Sequence, residues 1–156
     1  MLFGFSIDLI GLFIMLAGFV IGQGAVTVID WHGFLGRKSG YWTEATTRTH
    51  KVTKPLIWLG LILAVSGGII LYREETLRGI PLIHLMLAGG LVLNGCWLSF
   101  KVSPYLLKRE SAGQAAELLP QAWQRKIMLS FFVSVFGWWG SLFLLAYYLI
   151  EIYPVG

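Results

Sequence analysis

The chain has 156 residues, 56% of them hydrophobic and only 13% charged, with a mean hydropathy of +0.72. A water-soluble domain carries about 25% charged residues, so this chain lacks the polar groups to cover its surface in water, and a bilayer is its natural solvent. Its net charge of +4 comes from basic residues that flank apolar runs, where anionic headgroups account for them and nucleic acid does not; its single cysteine, Cys96, excludes an intramolecular disulfide and any multi-cysteine metal site within the chain.

A helix needs about 20 apolar residues to cross a hydrocarbon core roughly 30 Å thick. Four segments meet that requirement. The first, about Phe5 to Ile29, begins in "MLFGFSIDLIGLF", which has no basic leader and carries Asp8. Its apolar run is also longer than a signal core, so it reads as a span and not as a signal peptide. The stretch "TVIDWHG" at 27–33 reads as the place where this helix leaves the hydrocarbon.

The first loop holds Arg37, Lys38, Arg48, Lys51 and Lys54. Within "YWTEATTRTHKVTKP", Thr43 followed by Glu44 is good chemistry for a helix start, and Tyr41 and Trp42 suit the headgroup zone. This predicts a short interfacial helix, or an extension of the second span. That span, Pro55 to Tyr72, begins on a proline suited to a first helical turn. The middle loop, "REETLRG", balances Arg73 and Arg78 against Glu74 and Glu75. The third span, about Ile80 to Phe100, contains His84 and Asn94. The third loop holds Lys101, Lys108, Arg109, Arg125 and Lys126, and its "SAGQAAELLPQAWQRK" predicts another short interfacial helix. The fourth span, Ile127 to Ile150, has no charge.

Ten of the twelve basic residues thus fall on one side, which the positive-inside rule places in the cytoplasm. Strands are excluded by continuous, non-alternating apolar runs, too few to close a barrel. The expectation is an all-α integral membrane protein of the cytoplasmic (inner) membrane: one domain, residues 1–156, forming an antiparallel four-transmembrane-helix bundle. Both termini lie outside, and short interfacial helices occupy the cytoplasmic loops.

Helices in lipid associate through small residues and polar contacts. Gly18 and Gly22 lie four apart in the first span, and Gly60, Ala64 and Gly68 form a stripe in the second. His84, Ala88, Leu91 and Gly95 share a face of the third. Ser130, Ser134, Gly137 and Ser141 share one in the fourth. Asn94, mid-span, is placed to hydrogen-bond a neighbouring helix. Trp138, Trp139, Phe131 and Phe132 read as core bulk or lipid-facing surface, or as the lining of a flat cofactor or partner.

Depth decides which histidines can cooperate. His32 and His50 belong to the cytoplasmic face, whereas His84 lies about 6 Å into the third span from the outer side at 1.5 Å per residue. His84 and His50 therefore cannot ligate one ion or one haem iron. On the inner side Asp30, His32 and His50 could converge as metal or haem ligands, with Lys54 one turn beyond His50; the simpler role is headgroup solvation. On the outer side Asp8 and His84 enter at similar depth, as a proton-moving pair or a lock between the first and third helices.

The stretch "TKPLIWLGLILAVSGGIIL", followed by "PLIHLMLAGGLVLNGCWLSFKVSPYLLKRE", resembles the CopD and HemJ group of small membrane proteins over residues 52 to 110. The resemblance implies a four-helix inner-membrane protein, with haem or copper chemistry. Proteins of the HemJ type carry a haem-binding histidine just before the glycine at position 95; here that position is Asn94. There is no nucleophile–base motif, phosphate-binding loop or paired carboxylate spacing. The leading expectation is a non-catalytic accessory or assembly subunit of a membrane complex, with partner membrane subunits or a second copy of itself. The alternative is a redox protein holding haem b or a metal through His32, His50 or His84.

Overall fold

A computed structural model describes residues 5–36 and 42–152, without the side chains of residues 36, 42–48 and 152. The expectations for Arg37, Lys38 and Tyr41, for the side chains of Trp42, Thr43, Glu44 and Arg48, and for the two ends of the chain lie outside the described residues. Among these, all regular structure is helical. Four helices are long and apolar enough to cross a membrane: α1 (Ile7–Leu35), α2 (Trp42–Leu71, apolar from Thr49), α3 (Ile80–Ser111) and α4 (Gln121–Glu151).

Ser6 starts α1 by accepting a hydrogen bond from the Leu9 amide, satisfying a donor that the first turn leaves unpaired. Gly79, at φ +57°, adopts the left-handed conformation that glycine tolerates, and Pro81 occupies the first turn of α3. Gly113, at φ +75°, turns the chain after α3. Each of α1, α3 and α4 contains a wider π turn, at Phe19–Gln23, Leu98–Val102 and Tyr148–Ile152.

The helices outrun the spans read from hydropathy. α1 continues through Asp30 and His32 to Leu35; its 29 residues measure about 43 Å at 1.5 Å per residue, more than the hydrocarbon needs. Pro55 lies inside α2, not at its start, and Thr43 is within the helix, not at its N-cap. The first-loop helix is therefore the extension of the second span. No interfacial helix forms between α3 and α4: residues 112–120 are turns and irregular chain, and the flanking helices have taken in the rest of that loop. The physical reason is common to all of these. Backbone hydrogen bonding does not stop where lipid stops, so polar helix formers such as Gln, Arg and Lys prolong a span into the headgroups.

α1 and α2 approach most closely. A methyl group on Gly18 would fall 2.6 Å from the Gly60 carbonyl oxygen, and one on Gly67 would fall 2.6 Å from that of Gly11. Gly11, Gly18 and Gly22 thus face Gly60, Ala64 and Gly67 backbone to backbone. Gly68 has only the tip of Met15 nearby, at 3.9 Å, so the contact stripe of α2 runs 60, 64, 67 and not 60, 64, 68. Helical periodicity favours the 0, 4, 7 spacing.

The main core gathers Met15, Phe19, Val26, Leu61, Leu91, Trp138 and Leu145. A smaller cluster, Val102, Leu106 and Leu119, closes the basic-loop end. Outside, Phe13, Val20, Ile69, Met86, Leu93, Phe136 and Phe143 are all more than half exposed. In water such a surface would be untenable; facing acyl chains it is the expected arrangement.

Candidate functional site

At the basic-loop end the four helices enclose a cavity of about 150 Å³. α1 contributes Asp30 and Phe34, α2 His50 and Ile57, α3 Leu91, Asn94 and Ser103, and α4 Ser130, Phe131, Ser134 and Trp138. The Ser134 hydroxyl donates to the Asp30 carboxylate. The second carboxylate oxygen, Oδ2, is buried without a hydrogen-bond partner, and so is Nε2 of His50. Buried polar atoms in folded proteins are almost always paired, and an unmatched carboxylate in a membrane interior is especially costly. Both residues line the same cavity. Gln23 carries a further unpaired buried oxygen, but it lines neither this cavity nor the second one described below.

The walls have their own chemistry. Phe34 stacks on Phe131 with ring centroids 5.5 Å apart, and Trp138 is 2% exposed, fixed edge-to-face on Phe19. Aromatic faces beside a carboxylate make a cation-binding environment, since the ring quadrupole and the charge act in the same direction. Asn94 spends one amide donor and one acceptor lone pair across the α3–α4 interface. Its amide donates to the Ser130 carbonyl at 3.2 Å, and its oxygen accepts from the Ser130 hydroxyl at 2.7 Å.

At the opposite end lies a larger, mainly apolar cavity of about 330 Å³, bordered by Tyr72, Arg73, Glu75 and His84. His84 is buried between two partners. Its Nε2 faces the Ser141 carbonyl at 2.7 Å and so carries the proton. Nδ1 then accepts from the Tyr72 hydroxyl at 2.8 Å. Tyr72 packs edge-to-face on Tyr148, whose hydroxyl donates to Glu75 at 3.1 Å. Burial, and then the Glu75 charge, push the Tyr72 phenol above its ordinary range. Arg73 binds Asp8 and also Glu74 at 2.9 Å; the Asp8 hydrogen bond is the main cause that holds its proton more firmly than usual.

The expected residues therefore separate into groups. Asp30 and His50 meet at the first cavity, while His32 is exposed and does not line it. Among the described residues no three His, Cys, Asp or Glu side chains are grouped to hold a metal. Asp8 and His84 do not pair: Asp8 takes Arg73, and both ring nitrogens of His84 are engaged elsewhere. Ser130, Ser134, Gly137 and Ser141 are all buried. Tyr72 was missed as a partner for His84; its only sequence signal was an aromatic hydroxyl at a span end, which interfacial anchoring also explains.

No family model, no curated protein and no solved structure matches the chain.

Proposed function

We propose that this is a non-catalytic membrane protein that binds a small organic cation at Asp30, in the cytoplasmic half of the bilayer. The observation that carries this reading is the buried, unpaired Oδ2 of Asp30 opening on an aromatic-walled cavity. An ammonium group would supply the missing opposite charge, and the Trp138, Phe34 and Phe131 rings would receive its alkyl surface. A calcium or magnesium ion would ask for six or more oxygen ligands, which this lining does not supply. An apolar cavity of about 150 Å³ accepts a molecule of roughly benzene's size, which sets the scale of the ligand. The cytoplasmic assignment rests on Lys51, Lys54, Lys101, Lys108, Arg109, Arg125 and Lys126, which belong to the loops at the cavity's end.

Titrating the purified protein with tetramethylammonium tests this. Binding should be saturable and weaken by about tenfold or more in Asp30→Asn, the size of one lost charge–charge attraction in a partly buried site. Equal binding by Asp30→Asn would end the proposal.

An accessory-subunit role is the second reading, and one feature favours it. α4 presents an outward row, Phe132, Phe136, Trp139 and Phe143, each exposed and three or four residues apart. Tryptophan in mid-span is unusual for a purely lipid-facing position. Recovery of stoichiometric partner subunits with the wild-type chain, lost in Trp139→Ala, would support it. The haem alternative is left with His50, because His32 is exposed, His84 is doubly bonded, and Asn94 fastens α3 to α4. A Soret band that vanishes in His50→Ala would restore it.

A further inference from the structure

The two cavities share two lining residues, Leu91 and Trp138, and no others. Both are buried, at 7% and 2% exposure. Leu91 seats on Gly137, where an added methyl would fall 2.6 Å from its Cδ2. Trp138 seats on Gly22, where an added methyl would fall 2.5 Å from the indole ring. One cavity is lined by the ends of the helices nearest the basic loops, the other by residues around the middle loop. Side chains are thus the shared wall between two spaces that approach opposite faces of the membrane.

We infer that these cavities are the inner and outer halves of one path for the cation bound at Asp30, closed at Leu91 and Trp138. The inference rests on the Asp30 reading of the inner cavity. The lining suits passage of a monocation. The inner half offers the Asp30 carboxylate, the wall offers the Trp138 ring, and the outer half offers the Glu75 carboxylate and the Tyr72 ring. Arg73 is the opposing charge at the outer mouth, and Asp8 and Glu74 both hold it. A rotamer change of Leu91 is a side-chain motion, and its seat, Gly137 of α4, is not among the α1–α2 glycine contacts.

Sidedness of cysteine labelling tests the path. In a Cys96→Ser background, Ser103→Cys reports on the inner cavity and Ala88→Cys on the outer one. The probe is a membrane-impermeant trimethylammonium methanethiosulfonate, applied to right-side-out and inverted membrane vesicles. Each cysteine should react from its own face only. Adding Leu91→Ala should raise labelling from the far face by about tenfold or more. Leu91→Val is the milder variant should Leu91→Ala not accumulate, with a smaller rise in the same direction. Reaction of both cysteines from one face, reaction of neither, or far-face labelling unchanged by both Leu91 variants would each overturn the path. Tetramethylammonium binding to the same samples separates the two proposals. Binding that persists with unchanged sidedness sinks the path alone, whereas absent binding in the Leu91-intact protein sinks the Asp30 reading.

Discussion

Asn94 and Ser130 bind each other twice across the α3–α4 interface, the amide donating to the backbone carbonyl and the hydroxyl donating back to the side-chain oxygen. Interhelical hydrogen bonds inside membranes average only about 0.6 kcal/mol, with a maximum near 1.7, because separated helices find other partners. A reciprocal pair should lie toward the upper end. Asn94→Ala and Ser130→Ala in a double-mutant cycle, read by reversible unfolding in mixed micelles, isolate the hydroxyl bond alone, since Ser130→Ala keeps its backbone carbonyl, and should give a coupling of about 0.6 kcal/mol. A coupling indistinguishable from zero would mean that the two side chains do not hold α3 to α4.

Gly67 and Gly68 are neighbours with opposite tolerances. A methyl at Gly67 meets the backbone of α1, including the Gly11 carbonyl oxygen at 2.6 Å, whereas one at Gly68 touches only the flexible end of Met15 at 3.9 Å. Overpacking a tight contact costs typically about 1–3 kcal/mol. Gly67→Ala should therefore destabilise by an amount in that range, and Gly68→Ala should lie within about 0.5 kcal/mol of wild type. Thermal unfolding of the two purified variants side by side decides it, and equal losses would refute the 60, 64, 67 register.

How much of this was legible follows from what each signal measures. Hydropathy registers where a chain wants lipid, so it located four spans but ended them short: α1 runs on past Asp30 and His32. Periodicity marked small-residue faces, and at 3.6 residues per turn an offset of 7 lies closer to the stripe than an offset of 8, but with glycine at both positions the 60, 64, 68 reading took the one that does not touch the α1 backbone. Depth separates His84 from His50, which line different cavities, but it does not say which outer-side polar group Asp8 or His84 meets. Asp8 and His84 enter at similar heights, but Arg73 offers Asp8 a full charge, while Tyr72 and the Ser141 carbonyl complete His84. The cavity around Asp30 has no linear signature, since its lining comes from all four helices.

Tyr72 is held in its protonated form by its surroundings. Burial, and then Glu75, raise its pKa above the ordinary value of about 10. A group whose pKa is raised on folding contributes stability that is fully present below its unfolded pKa. That contribution is lost as pH rises through the folded value, so the window lies above about pH 10. At a pH just above the free-phenol value of about 10, the upward shift keeps Tyr72 protonated where a free phenol ionises. Wild type and Tyr72→Phe should then show the same phenolate absorbance at that pH, differing only after denaturation. A deficit in Tyr72→Phe under native conditions would show that Tyr72 titrates with the exposed tyrosines. The same variant leaves Nδ1 of His84 without its donor, which should cost about 0.6–1.7 kcal/mol at neutral pH.

Asp30 distinguishes a binding residue from a structural one by the sign of its effect. If the carboxylate served packing, removing it would weaken the bundle. With one oxygen buried and unpaired, it instead burdens the ligand-free protein, since an unsatisfied buried polar group costs about 1–3 kcal/mol, and more when charged. Asp30→Leu, of the same branched shape and apolar, should raise the stability of the ligand-free protein by about 1 kcal/mol or more while abolishing tetramethylammonium binding. The Ser134 hydroxyl loses its acceptor in that variant but can turn to a carbonyl of the preceding helical turn, so its loss does not offset the gain. Saturating tetramethylammonium should stabilise wild type and leave Asp30→Leu unmoved. An Asp30→Leu protein that unfolds more readily than wild type in the absence of ligand would make Asp30 a structural carboxylate.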